Sequence, residues 1–527
     1  MEAKMGEQEM IKQLSRNDKN KKFLVSYLIF FLLFYGCSEK PISEKQRAID
    51  VYKEKQNRQY VRDSEESLIC VASDTTPEIF HRTLKVSPDG KKIAYLGQNS
   101  KQNYFFLKAN NQRHRSYYDI GPDSILFSPD SRHIAYIAIE KNNSVKKHLI
   151  VKDNVEISER YDDTLENGII FSPDSQKLAY AAKKNGVWYV KICGSEIEYL
   201  AYDGVLGKTL MLTPDSQHLI YGTGIEAENK YFIVIDGILQ KAYSGMGDVI
   251  VASKHIAYLV GDKKDNKAQM VVLDGAEHKR YDSILELELV FSQNGKHLAY
   301  AAQKDDKQFL VIDGVEQKEY DKMGPFLFSP DEKRLAYVAI QGEDTFVVLD
   351  GEELKHYPAK LFVDEDGRLR SSLLDKTFVF SPDSQHFAYG VNTKLSHFMV
   401  LDGLEQKRYK QVSQYIAFSP DSKHFGYLAV GYDDKLLAVV DGIEYPIDEG
   451  GAAKLCFSPD SKHFAYIVSD EGRWSVIIDG EAGKYYPNLL VDERKTLFNE
   501  DGSFHYLVMC DSKVFLVEEK IVPTSQR

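Results

Sequence analysis

One sentence of sequence, Phe457-Ser-Pro-Asp-Ser-Lys-His-Phe-Ala-Tyr466, recurs along most of the chain and constrains its fold more than any other feature. Aligned on the Ala-Tyr end, copies begin at Val86, Phe127, Phe171, Leu212, Phe291, Phe328, Phe380, Phe418 and Phe457. Degraded versions precede His255-Ile-Ala-Tyr258 and occupy Phe498-Asn-Glu-Asp-Gly502. The repeat tyrosines fall at 95, 136, 180, 221, 258, 300, 337, 389, 427, 466 and 506, a period of 37 to 44 residues with one step of 52 between Tyr337 and Tyr389. A period in that range means stacked units, each burying its faces against its neighbours.

Each unit reads as four short strands. The residues before Phe-Ser-Pro-Asp are apolar or alternating, as in Leu285-Glu-Leu-Glu-Leu289, which suits a first strand. Ser-Pro-Asp-Ser/Gly is turn chemistry, because Pro presets φ while Ser and Asp bond the turn's own backbone. A second strand then starts at His/Lys-apolar-Ala-Tyr. A third, such as Phe309-Leu-Val-Ile312, ends in Asp313-Gly314. Asp-Gly between apolar runs is a hairpin signal, since a type I′ turn needs φ > 0 at both central residues. The fourth runs to a Tyr seven residues after the Asp: Tyr243, Tyr281, Tyr320, Tyr357, Tyr409 and Tyr486. Four antiparallel strands in about forty residues make one blade of a β-propeller, so the chain is expected to be all-β with about eleven blades.

Propellers usually have four to eight blades, so two tandem rings are expected. The long step, which includes Val363-Asp-Glu-Asp-Gly-Arg-Leu-Arg370, is the natural boundary. It divides repeats 1–7 (67–357) from repeats 8–11 (377–522) across a connecting insertion, 358–376. A six-plus-five division and one oversized ring are the alternatives. Ser67-Leu-Ile-Cys-Val-Ala72 reads as a strand that would latch a ring shut by pairing with the last blade.

The N-terminus carries a separate signal. Lys19, Lys21 and Lys22 precede an unbroken apolar or small-residue run, Phe23 to Gly36, which stops at Cys37. The run is short for a bilayer span and has the basic flank of a secretory signal. Residues 1–36 are therefore expected to be a signal peptide and 37–66 a polar tether. Net charge is −12, and −14 without residues 1–36. An acidic surface argues against nucleic acid, whose binding rests on Lys and Arg contacts to phosphate.

Phe34-Tyr-Gly-Cys37 resembles the lipobox of bacterial lipoproteins, in which the Cys becomes a diacylated N-terminus. The resemblance makes Cys37 the lipidation site. Ser38 after it suits the outer membrane or the surface in a Gram-negative envelope. The repeat Phe-Ser-Pro-Asp-Ser/Gly-x-x-apolar-Ala-Tyr closely resembles the WD40-like repeat of the TolB type, found in bacterial periplasmic and surface proteins, over roughly residues 80–520. That likeness implies a propeller outside the cytoplasm. A shared fold does not transfer a function.

Nothing in the sequence assembles into a reacting centre. His133, His218, His255, His297, His386, His424 and His463 share one repeat position. As one per blade, they are read as packing or hydrogen bonding beside a turn. Asp130, Asp174, Asp215, Asp331, Asp383, Asp421 and Asp460 are likewise read as turn-formers. Cys70, Cys193, Cys456 and Cys510 show no metal-ligand spacing, and buried thiols are expected for at least two of them. There is no Gly-x-Ser-x-Gly and no phosphate loop. No catalytic, cofactor-binding or metal residues are therefore assigned.

The expected function is a non-enzymatic, lipid-anchored propeller scaffold in the cell envelope, binding a protein, peptide or glycan on its loops. The least repeat-like stretches, Gly222 to Lys230, Gly261 to Lys267 and Pro358 to Lys376, are the candidate contact loops. The alternative is a propeller enzyme, a glycan hydrolase or lyase, with its site at the central channel.

Overall fold

Each Asp-Gly pair forms the hairpin its composition predicts. The Asp residues at 236, 274, 313, 350, 402, 441 and 479 have φ between 49° and 54°, and the glycines that follow have φ between 77° and 86°. In the computed structural model, which describes residues 60–523 except 72–76, 100–103, 195–197, 207–208, 262–267, 359–361, 364–368, 371–376, 394–395, 448–449, 491–497, 500 and 511–512, these hairpins join strands into eleven antiparallel sheets. Nine have four strands and two have a fifth. Among the described residues the only α-helix is the seven-residue Pro77–Thr83.

Blade 6 shows the pattern, with strands Ser283–Phe291, Leu298–Lys304, Lys307–Ile312 and Val315–Glu316 paired in chain order. Its fourth strand is shorter than the sequence suggested. After Val311↔Glu316 one extra residue intervenes before the bridge Gln308↔Tyr320, a bulge that aims the tyrosine inward. The buried Tyr300 packs towards blade 5, and the buried Ala301 packs towards blade 7. Alternation across the second strand thus explains the repeated Ala-Tyr. The small residue on one face admits the next blade's aromatic ring, and the large one fills the seam behind.

The core consists of such seams. The Ser-Pro-Asp-Ser turns tie them at one end, where the second serine sits at φ 60–64°. There its hydroxyl accepts the N–H of the preceding blade's Asp, as in Asp130 to Ser175 (3.0 Å) and Asp383 to Ser422 (2.9 Å).

The expectation of two rings gives way to one continuous series. Blade 7 packs directly on blade 8: Ala336, Val338, Val347 and Tyr357 share a core cluster with Phe380, Phe387 and Tyr389. Asp331 N–H donates to Ser384 Oγ (3.0 Å), and the Arg334 guanidinium reaches the Ser384 and Gln385 carbonyls. Of the connecting insertion, Pro358 pairs with Asp344 of blade 7, and Phe362–Val363 pairs with Leu369–Arg370 as a two-stranded hairpin.

Blade 11 closes on blade 1. Cys70, Leu507, Val514 and Leu516 pack with Phe80, Ile93 and Tyr95. His505 Nε2 lies 2.7 Å from the Asp89 carbonyl, and Lys91 pairs with Glu518 at 3.1 Å. The expected latch is present and longer than foreseen: Tyr60–Val71 is the outermost strand of the last blade, next to Lys513–Pro523. One compact unit, Ser64–Lys520, holds all eleven blades except the ends of the last two strands of blade 11, 60–63 and 521–523.

Candidate functional site

The repeated polar residues are engaged locally. Each of the seven repeat histidines has Nδ1 2.6–2.7 Å from the Oδ2 of the Asp in its own blade's Asp-Gly or Asp-Asn turn: Asp153, Asp236, Asp274, Asp313, Asp402, Asp441 and Asp479. Arg334 takes this place in blade 7, bonding Asp350 at 2.9 Å. A carboxylate can only accept, so Nδ1 carries the proton. The other oxygen of the same Asp accepts the N–H after the histidine, as from Phe425 to Asp441 at 3.0 Å. Each pair therefore clamps two hairpin turns of one blade.

The Ser-Pro-Asp carboxylates are turn-formers too. Asp331 accepts from Ser329 Oγ (2.7 Å) and from the Lys333 N–H, and these bonds, the hydroxyl first, hold its carboxyl down at about 2. The other six accept from the first Ser or Thr of their own turns and are also held below the ordinary range. Among the described residues no three His, Cys, Asp or Glu side chains gather where they could hold a metal ion.

The four described cysteines are thiols rather than disulfide halves. Cys70 is buried, and the other three are half-buried. Burial pushes the Cys193 thiol above its ordinary value. Cys37 lies outside the described residues, as do 262–267 and most of 358–376. Residues 222–230 form a strand end, a 3-10 turn at Glu226–Glu228 and a left-handed Asn229, with Lys230 on Glu228 at 2.7 Å.

The feature the sequence reading missed lies on the outer wall. At most seams a fourth-strand tyrosine meets the Ala-Tyr tyrosine of the next blade edge-on. Seven tyrosine pairs, six edge-on and Tyr161/Tyr180 tilted, have ring centroids 6.0–6.4 Å apart. The fourth-strand hydroxyl commonly donates to a glutamate two residues past the next blade's turn, as Tyr320 to Glu353 (3.2 Å) and Tyr409 to Glu444 (2.8 Å). A lysine two residues before the tyrosine reaches the same glutamate, as Lys318 to Glu353 (2.6 Å). Burial pushes the hydroxyls of Tyr300, Tyr389 and Tyr427 up to about 12.

Blade 9 breaks the pattern. Its fourth strand pairs without a bulge from Val440↔Ile443 to Leu436↔Ile447, so Ile447 stands where Tyr409 stands in blade 8, opposite His397. The facing glutamate position in blade 10 is Ala482. A cavity of ≈ 340 Å³ opens here, lined by Ile447, Ala482, Tyr466, Val468, Ile477 and Asp470 among others. This is within the size range of small-molecule sites, about 300–1,000 Å³. The signal was legible in principle: Asp448, not Tyr, lies seven residues after Asp441.

No protein-family model matches the chain. No curated protein matches it either. Solved structures do. The chain is similar to a eukaryotic initiation factor at 14% identity, covering 69% of this chain and 97% of that one with a TM-score of 0.35. It is similar to TolB from Acinetobacter baumannii at 13% identity, covering 58% and 79% with a TM-score of 0.23. The β-propeller domain of the trilobed protease from Pyrococcus furiosus is similar at 16% identity, covering 53% and 95% with a TM-score of 0.27. The class of the chain, a β-propeller of eleven blades, rests on its own sheet order.

Proposed function

We infer that the chain is a non-enzymatic propeller scaffold, anchored to a membrane outside the cytoplasm through Cys37 and binding an envelope partner. The observation that supports the non-enzymatic part is the pairwise engagement of the repeated polar groups. Histidine with aspartate, serine with aspartate, and lysine and tyrosine with glutamate all form walls and turns rather than converging on one point. Catalysis needs such convergence, with a nucleophile or base within hydrogen-bond reach of its partner and of a common reacting atom.

The anchoring part is supported by the basic flank, the apolar run and Cys37 at its end. Among the described residues no helix is long and apolar enough to cross a membrane. Two acyl chains on Cys37, at about 0.8 kcal/mol per buried CH₂, would hold the protein on a bilayer without one.

The test is intact mass and detergent partitioning of the protein expressed in a bacterial host, beside Cys37→Ser. The wild type is expected to lose residues 1–36, gain diacylglyceryl mass and enter the detergent phase, and the variant to do none of these. Two proteins that both keep the leader, or both stay in the aqueous phase, would remove the anchor.

A further inference from the structure

Three seams lack both halves of the tyrosine-glutamate wall contact, and they resolve the loss differently. At the closing seam the latch strand has no tyrosine after Glu66 and blade 1's fourth strand, Gln112–Tyr117, has no glutamate, and Phe80 packs edge-on against Tyr95 at 4.9 Å. Between blades 3 and 4 the tyrosine position is Ala201, whose N–H donates to Trp188 O just as Tyr486 N–H donates to Trp474 O. The glutamate position there is Leu239. The chain refills that gap itself, because the Tyr199 ring lies over Gly237, 2.4 Å from where a Cβ would stand. Between blades 9 and 10 the replacements are Ile447 and Ala482, and both line the same open cavity.

Part of the remaining lining is what the other seams offer a tyrosine, and Pro446, Gly480 and Tyr485 complete it. Tyr466 is the Ala-Tyr ring that forms half of an edge-on pair elsewhere, and Val468 and Ile477 continue its face of blade 10. Asp470 places a carboxylate in the lining, an acceptor for a hydroxyl. An aromatic partner ring in such a place adds about 0.5–1.5 kcal/mol beyond its area burial, and filling a void recovers the dispersion contacts its walls lack.

We propose that this cavity receives a tyrosine side chain presented by a partner polypeptide, the ring standing in for the tyrosine that Ile447 replaces. This rests on the scaffold reading above and gives that scaffold a site and a recognition chemistry. The repeat itself identifies the occupant, since the same space at seven other seams is filled by a tyrosine of this chain.

The test titrates 4-methylphenol, the tyrosine side chain alone, and then N-acetyltyrosinamide into the full chain labelled at Ile and Val methyls. Saturable shifts are expected at Ile447, Ile477 and Val468, with both probes. Ile447→Tyr fills the cavity from within and is expected to weaken binding at least about tenfold, by the overpacking a filled site imposes. Ala482→Glu, a substitution at an exposed position, narrows the same cavity and is expected to weaken it in a chain that folds normally.

Absence of saturable shifts in the wild type, or shifts unchanged in both variants, would overturn the proposal. Binding of 4-methylphenol without N-acetyltyrosinamide would overturn its polypeptide part. Either result leaves the anchored-scaffold reading to its own test at Cys37.

Discussion

Glu66 Oε1 accepts a hydrogen bond from Tyr486 OH at 2.7 Å, and Lys484 Nζ lies 2.7 Å from the same oxygen. The residues are some 420 positions apart, yet the contact is the one that consecutive blades make. Glu405 receives Tyr357 and Lys355, and Glu444 receives Tyr409 and Lys407, in the same way. The N-terminal strand is therefore a true fourth strand supplied from the other end of the chain. It closes the ring and covers the sheet edge that blade 11 would otherwise expose.

Removing that carboxylate should weaken closure. Glu66→Ala is expected to cost about 1–2 kcal/mol, the range for a charge-assisted bond discounted for partial exposure. Glu65→Ala, on the outward side of the same strand, should be near neutral. Urea midpoints of the two variants check this. The Lys484 hydrogen bond first, and the Tyr486 one after it, hold the Glu66 carboxyl below its ordinary 4.5. A lowered acid contributes fully above the unfolded value, and its contribution disappears as pH falls through the native one. Glu66→Gln should therefore flatten the acid limb of stability below about pH 4.5.

His505 predicts a second pH dependence at the same closure. Its Nε2 meets the Asp89 carbonyl at 2.7 Å, and its buried Nδ1 has no hydrogen-bond partner among the described residues. Burial lowers its pKa from the ordinary 6.5; Lys91 adds to the lowering, while the Asp89 carbonyl, Glu518 and the Asp89 carboxylate oppose it. A lowered histidine stabilises the fold while neutral, so stability should fall as pH drops below about 6.5 towards the lower native value. His505→Gln should remove that slope. Gly90→Ala should destabilise independently of pH, since Gly90 has φ +71° and an added Cβ would stand 2.6 Å from the imidazole Nε2. Thermal unfolding between pH 5 and 8 reads both.

How much of this was legible follows from what kind of constraint each residue obeys. Asp441-Gly442 and Ser458-Pro-Asp-Ser461 are local turn chemistry, so the sequence states them and the structure repeats them. The latch was legible only in its apolar half. Arg62 to Glu66 belong to the strand through backbone pairing and the Glu66 contact, which no alternation of apolar residues announces. The number of rings was not legible at all, because it depends on which blade face meets which. The blade 9 cavity depends on a single bulge: one residue fewer between Val440 and Leu436's partner puts Ile447 at the tyrosine position. Periodicity averages over such an event.

The two partners of a histidine-aspartate clamp should differ in weight. Asp441 accepts from both His424 Nδ1 (2.6 Å) and the Phe425 N–H (3.0 Å), and it sits at φ 51°. Asp441→Ala loses both bonds and a residue type that tolerates that backbone, for about 2 kcal/mol. His424→Ala removes one half-exposed side chain and should cost about 1 kcal/mol or less. Parallel denaturation of the two variants gives the order. Equal costs would mean that the side-chain pair, not the backbone bond, holds the turns together.

Continuity across the connecting insertion has a direct consequence for a nicked chain. With a specific protease site placed within 364–368, cleavage leaves one fragment with blades 1–7 and the latch strand, and another with blades 8–11. Two seams then join them. One carries Arg334 and the Asp331 to Ser384 bond; the other carries His505, the Lys91–Glu518 pair and the core around Cys70. The fragments should co-elute on gel filtration in buffer and separate only in denaturant, and Ser384→Ala should lower the denaturant needed. Separate rings share neither seam, so their fragments would part on cleavage. The latch sharpens the contrast, because Glu66 in the first fragment is bonded to Tyr486 in the second, and parting them exposes the outer edge of blade 11 to aggregation.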